Sequence, residues 1–297
     1  MISQAELAEQ LDRARSHLRA VAFRMLGSVD EAEDAVQEVW LRASRADASA
    51  VANVTGWLTT ILGRVCLDML RARRRRGEEL TEGGELDQLV DREGPSGPED
   101  EAALADAVGL ALLVVLDTLG PAERVAFVLH DLFAVPFDEI AAIVDRSPAA
   151  AKKLASRARH RVRGGAAAPA AELARQREVV EAFLAASRTG DLGALLAVLA
   201  PDVVRRADRA ALRGGAEAEV RGARRVAEET ATNAGRARFA RPALVNGAVG
   251  VVVAPRGRLQ LVLAVAVEGD RIAAIDAIGD PARLRQLRLA VVDAAPP

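Results

Sequence analysis

The chain has 297 residues, enough for two or three domains, each with its own core. Its 40 Lys and Arg nearly balance 42 Asp and Glu, and a net charge of −2 excludes a uniformly basic nucleic-acid coat; the charges are instead segregated along the chain. Apolar residues make up 51% and aromatics only 3%, which suits close-packed helices better than an aromatic-rich sandwich. The single cysteine, Cys66, sits in an apolar run, cannot form an internal disulfide and points to a reducing compartment. The N-terminus carries acids and no apolar h-region, and no stretch reaches the ~18 uncharged apolar residues of a membrane span, so a cytoplasmic protein that does not enter the membrane is expected.

In chain order, residues 4–76 read as helices. Leu11, Leu18, Val21, Ala22, Met25 and Leu26 approximate a 3.6-residue stripe that Gly27-Ser28 ends. The next helix begins at Ser28 or Asp30 and carries Ala32, Ala35, Val36, Val39, Trp40 and Ala43 on one side. Glu31, Asp34, Gln37, Glu38 and Arg42 lie on the other. A third helix is expected from Gly56-Trp57 to the arginine run that ends at Arg76. Residues 78–101 hold ten acids, a single Arg92 and scattered Gly and Pro, the composition of a flexible linker. Helices resume near 101 with Leu104, Val108, Leu112, Val115, Leu116 and Leu119, and after Gly120-Pro121 another covers 121–130.

Residues 138–163 carry the clearest local signal. An acidic-apolar helix reaches Val144, the chain breaks at Asp145-Arg146, and Ser147-Pro148 opens a helix with six Lys/Arg and no acid. Ser147 suits the N-cap and Pro148 the first helical position. Two short helices joined by a tight turn, the second basic, form the helix-turn-helix layout for a DNA major groove. Ala151, Leu154, Ala155 and Ala158 supply its buried side. Ala149, Ala150, Lys152, Lys153, Arg157 and Arg161 are left for DNA, with the two lysines free to donate to guanine edges or to phosphates. After a small-residue linker at 164–171 the pattern changes. Helices at 172–189, 191–198 and 222–234 alternate with short apolar runs at 203–204, 243–245, 250–253, 259–267 and 272–278. Asn246-Gly247, Arg256-Gly257 and Gly269-Asp270 separate the later runs, which reads as an antiparallel meander in an α+β domain.

The ordered set DEAEDAVQEVWLRA (30–43), GWLTTILGRVCLDMLRARRRR (56–76), an acidic linker and 119–163 resembles the extracytoplasmic-function sigma factors of the sigma-70 family. The resemblance implies four parts. A first all-α module (1–77) grips RNA polymerase core and the −10 element, and the acidic linker (78–101) follows. A second all-α module (102–164) reads the −35 element, and a third domain spans 172–297. It names as partners the clamp helices of the largest polymerase subunit, the flap region and promoter DNA. Asp34, Gln37 and Glu38 are carried over as core-binding residues; Trp57, Arg64, Arg71, Arg73, Arg74 and Arg75 as −10 residues. Read from the residues alone, Trp57 is a core anchor first and a stacking platform for a melted base second. Family members commonly carry Arg-Asn where this chain has Gly63-Arg64, so its −10 readout departs from theirs.

The last domain resembles the SnoaL-like cone domains of the nuclear transport factor superfamily, which enclose a pocket. Asp208 and Asp276 are its candidate pocket acids. All three histidines (His17, His130, His160) lie outside it, so no catalytic pair is expected, and neither a metal nor a cofactor. A small-molecule sensor and a protein-contacting regulatory domain both stay open. The alternative for the whole chain is a ligand-binding or cyclase-like domain fused to a conventional helix-turn-helix repressor or activator.

Overall fold

The structure is a computed structural model that describes residues 4–46, 51, 53–79, 109–164, 168–212, 216–255 and 258–292. It divides into two compact units, Met1–Val108 with Leu119–Arg159, and Gly109–Thr118 with His160–Pro296. Helices α1 (Gln4–Leu26), α2 (Val29–Ala43) and α3 (Val54–Glu79) pack pairwise in the first unit. Leu18, Met25, Leu26, Leu58, Leu62 and Leu67 are closed off from solvent. Burial of each stabilises by ~1.5–3 kcal/mol, which holds together helices that would be marginal alone. Ser28 caps α2 by accepting the Glu31 N–H at 3.4 Å. Asn53 Oδ1 accepts the Gly56 N–H at 3.0 Å, so α3 starts before the expected Gly56. At its other end α3 runs to Glu79; the rest of the acidic segment, with Leu104 and Val108, lies outside the described residues.

Three further helices complete this unit: α5 (Pro121–Phe127), α6 (Phe137–Val144) and α7 (Pro148–Arg163), the last reaching into the second unit. Where a plain helix over 121–130 was expected, α5 passes into a π-helical turn at Val128–Leu132. Ala134, at φ 54°, and the Val135 N–H donated to the Leu129 carbonyl at 2.9 Å close that turn. Between α6 and α7, Asp145 adopts the left-handed conformation (φ 55°, ψ 57°) and Arg146 donates to the Ala141 carbonyl. Ser147 Oγ then accepts the Ala150 N–H at 3.3 Å, the cap that Ser147-Pro148 announced.

In the second unit a seven-stranded sheet has the order β2-β1-β6-β5-β4-β3-β7. The strands are β1 (Leu199–Ala207), β2 (Glu219–Arg221), β3 (Ala240–Val245), β4 (Ala248–Val253), β5 (Leu261–Glu268), β6 (Arg271–Ile278) and β7 (Leu289–Ala290). β3 to β6 form the expected antiparallel meander, turning first through Asn246-Gly247, both at positive φ. β1 departs from it by running parallel to β6. The helices α8 (Ala170–Thr189), α9 (Leu192–Val198), α10 (Ala223–Thr232) and α11 (Ala234–Ala237) belong to this unit, and Phe183, Leu195, Leu199, Val226, Ile272 and Ile275 share its core. The short α12 (Pro281–Leu284) precedes β7. α4 (Leu110–Asp117) is apolar on every side, which requires cover all round, and it packs on β3 and β7.

Candidate nucleic-acid interface

Three surfaces carry the residues of interest. On α2, Asp34 and Gln37 are exposed, and Glu38 is partly exposed and accepts from Arg42 at 2.8 Å. Arg42 also lies 3.6 Å from Asp68 of α3. Trp40, read from sequence as facing inward, is only half-buried. It lines an open groove of about 410 Å³ between α1 and α2, together with Asp12, Arg15, Gln37 and Leu41. Leu41 is 46% exposed. It falls on the same stripe as Asp34, Gln37 and Glu38 by helical spacing, so an apolar residue sits at the end of a polar face. That break in the pattern was the signal for the groove.

On α3, the positions of Trp57, Arg64, Arg71 and Arg75 recur every seven and four residues, which aligns them on one stripe about 27 Å long. Trp57 is half-buried and the three arginines are exposed. Arg64 donates to the Ala142 carbonyl of α6 at 3.2 Å. Arg73 leaves the stripe: it is half-buried, donates to the Leu26 carbonyl at 3.0 Å and pairs with Glu31. Its guanidinium therefore fastens α3 to the α1–α2 corner. Arg74 is exposed on the side of α3 that meets Gly120.

On α7, Ala151, Ala155 and Ala158 are buried while Ala149, Lys152, Lys153, Arg157 and Arg161 are exposed; Ala150 is half-buried. Arg157 stands 3.8 Å from Glu123. Arg159 is held by Asp131 at 2.5 Å, which fastens α7 to the π-helical turn. Serine capping and the left-handed Asp145 thus present a lysine pair near the N-terminal end of α7, where a recognition helix meets base edges.

The two acids of the last domain do not converge. Asp208 follows β1 and accepts the N–H groups of Ala211 at 3.0 Å, Gly279 at 3.1 Å and Asp280 at 3.1 Å, and the Arg283 guanidinium at 3.1 Å. These bonds make it a fastener of the junction between β6 and α12. Burial raises the Asp208 carboxyl, but the backbone donors of Asp280, Gly279 and Ala211 and the Arg283 charge outweigh it and hold its pKa below the ordinary value. A depressed native pKa contributes stability above the unfolded value, and that contribution is lost as pH falls through the native one. Asp208→Asn is therefore expected to lose about 1–2 kcal/mol at neutral pH, and to weaken less than the parent below about pH 4 in thermal melts. Asp276 is half-buried on β6, opposite Ala264 and Arg206. Its neighbour Ile275 lies in register with Arg205, whose side chain meets Glu229 of α10, so strand alternation turns Asp276 to the other face. Among the described residues no group of three or more His, Cys, Asp or Glu is placed to hold a metal ion, and no helix is long and apolar enough to cross a membrane.

Two family models match the chain: sigma-70 region 2 over residues 11–76 and sigma-70 region 4 over 109–162. The region 4 match thus includes α4, which packs in the unit of the sheet. Similar proteins include the probable ECF RNA polymerase sigma factor SigI of Mycobacterium tuberculosis, 39% identical over 192 residues, 64% of this chain and 65% of that protein. The ECF RNA polymerase sigma factor SigJ of the same organism is 40% identical over 195 residues, 65% of this chain and 62% of that one. The alignments span just under two thirds of the length of these relatives. The crystal structure of the extracytoplasmic function sigma factor SigJ is 33% identical and covers 93% of this chain and 97% of its own, with a TM-score of 0.44. A helical region 2 and a helix-turn-helix in region 4 thus follow one another in the order of these matches. The chain carries stretches that match sigma-70 regions 2 and 4, and it is similar to ECF sigma factors of that family.

Proposed function

We propose that the chain is a promoter-specificity subunit of bacterial RNA polymerase, working in the cytoplasm and without chemistry of its own. It binds core enzyme through the α2 face of Asp34, Gln37 and Glu38, with the Trp40–Leu41 groove beside it. The α3 stripe of Trp57, Arg64, Arg71 and Arg75 contacts the −10 region, and α7 contacts the −35 region through Lys152, Lys153, Arg157 and Arg161. The observation that carries this reading is the order of the two matched regions together with a capped basic helix in the second. The partner surfaces on the polymerase are taken to be the clamp helices and the flap.

The third domain is taken to be SnoaL-like and to regulate the first two in cis. Supporting this is α4, which lies inside the region 4 match yet packs on β3 and β7. Asp208 serving the β6–α12 junction, and Asp276 on the sheet face away from Arg205, favour a regulatory role over catalysis; a small-molecule effector is compatible with that role. Co-elution of the purified chain with core polymerase tests the reading. The parent should co-elute, and Asp34→Ala with Glu38→Ala should weaken the complex at least tenfold while leaving duplex binding alone. A chain that binds duplex DNA and never core would be a conventional repressor or activator instead.

A further inference from the structure

The third domain carries one charged surface that neither its core nor its two candidate acids explain. Between Glu229 and Glu268 the sequence holds five arginines and not one acid. The fold gathers the described ones at one end of the sheet: Arg236 in α11, Arg238 just past it, Arg241 at the start of β3 and Arg258 shortly before β5. Ala240 of β3 pairs with Val253 of β4, Ala254 donates its N–H to the Phe239 carbonyl at 3.3 Å, and Arg258 donates its own to the Pro255 carbonyl at 3.2 Å. Neighbouring strands lie ~5 Å apart, so the two arginine-bearing segments run side by side. Other arginines brace this corner. Arg188, in the last turn of α8, donates to the carbonyls of Ala237 at 3.3 Å and Ala240 at 2.9 Å. Arg241 donates to those of Arg238 at 2.8 Å and Ala240 at 3.0 Å. The Arg238 guanidinium lies 4.5 Å over the Phe239 ring, a contact that orders the side chain without cancelling its charge.

Elsewhere in this domain exposed arginines find carboxylates. Arg206 and Arg221 share Glu219, Arg224 meets Glu228, Arg225 meets Glu217 and Arg283 meets Asp208. Arg238 and Arg258 break that habit: both are exposed, and among the described residues no carboxylate pairs with either. Two uncompensated guanidiniums on adjoining segments suit a row of anions on a partner's surface. Duplex DNA supplies such a row, one charge per ~1.7 Å of its axis, and each phosphate accepts the two-pronged guanidinium. Within this chain α3 and α7 are already assigned to DNA, and a third contact tethered to them gains from their shared effective concentration. We propose that the Arg238–Arg258 corner is a DNA-backbone contact through which the third domain adds affinity and salt dependence but no sequence preference. This rests on the DNA-binding half of the proposed function and not on binding to polymerase.

The test titrates the full chain onto a duplex of random sequence, without polymerase, over a salt series. Arg238→Ala with Arg258→Ala is expected to bind at least about fivefold more weakly near 0.1 M salt, with a slope of log affinity against log salt shallower by about 1.8, two contacts at ~0.9 each. Lysine at both positions keeps the charges and should restore most of the slope. The ratio of promoter to random-duplex affinity should stay at the parent's value, because backbone contacts carry no sequence information. Thermal melts of parent and variants should coincide. If losing the Phe239 contact lowers the melt, Arg258→Ala alone decides: a slope shallower by about 0.9 supports the contact and an unchanged slope overturns it. Unchanged duplex affinity and slope in the double variant would overturn it, and a fall in core-polymerase binding alone would make the corner a protein contact instead. So would a difference between parent and variant that inorganic phosphate erases at matched ionic strength, since the corner would then hold a small anion. A chain that uses this corner on duplex DNA yet never binds core would sink the promoter-specificity reading and leave the corner standing.

Discussion

Replacing Glu229 by alanine is expected to destabilise the last domain by about 3 kcal/mol. Arg205 on β1 is only 7% exposed, yet its guanidinium makes paired bonds to the Glu229 carboxylate of α10 and donates to the Glu217 carbonyl at 2.8 Å. Without Glu229, a buried cation keeps a single carbonyl. Breaking such a pair typically costs ~3–5 kcal/mol, and the lower end applies because the Glu229 side chain remains 31% exposed. The effect should exceed that of any surface ion pair here, such as Arg13 with Glu9, both about 70% exposed. In urea unfolding of the full chain, the domain's midpoint should fall by about 1.5 M, for a slope near 2 kcal/mol/M. Arg205→Met combined with Glu229→Leu should recover most of the loss, because two apolar groups leave no charge stranded. A double variant as unstable as Glu229→Ala would contradict this account of the site.

Lys152→Ala with Lys153→Ala is expected to weaken −35 duplex binding by about ten- to a hundredfold while core binding stays at the parent level. Both lysines are exposed and α7 has no acid to neutralise them. If they meet phosphates, the slope of log affinity against log salt should become shallower by about 1.8, two contacts at ~0.9 each. If they meet guanine edges, discrimination between promoter and scrambled duplex should collapse with less change in slope. Anisotropy titrations over a salt series separate the two. Unchanged affinity and slope would remove α7 as the DNA-reading helix.

The local devices were legible because each is written within a few residues. Asp145 turns left-handed, Ser147 caps, and Ala151, Ala155 and Ala158 mark the buried side of α7 within one 20-residue window. The α2 face was legible from helical spacing, though Leu41 had to be seen as an interruption of it. What could not be read was decided by distant partners. β1 pairs parallel with β6 some 70 residues later, and β2 and β7, of three and two residues, are too short for alternation to show. Beyond the nearby Ala211, Asp208 finds its donors Gly279, Asp280 and Arg283 71 to 75 residues downstream, so the candidate pocket acid of the sequence is a fastener in the fold. Arg73 differs from its neighbours in the arginine run only through Glu31 and the Leu26 carbonyl of another helix corner.

The central claim is that this chain directs polymerase to promoters through two separated readers. Run-off transcription with purified core polymerase over a pool of random promoter fragments tests it most directly. Products are predicted from a small subset sharing two separated motifs, with the upstream motif losing its influence in Lys152→Ala with Lys153→Ala. Initiation no greater than with core alone, from a chain that still binds duplex DNA, would contradict it.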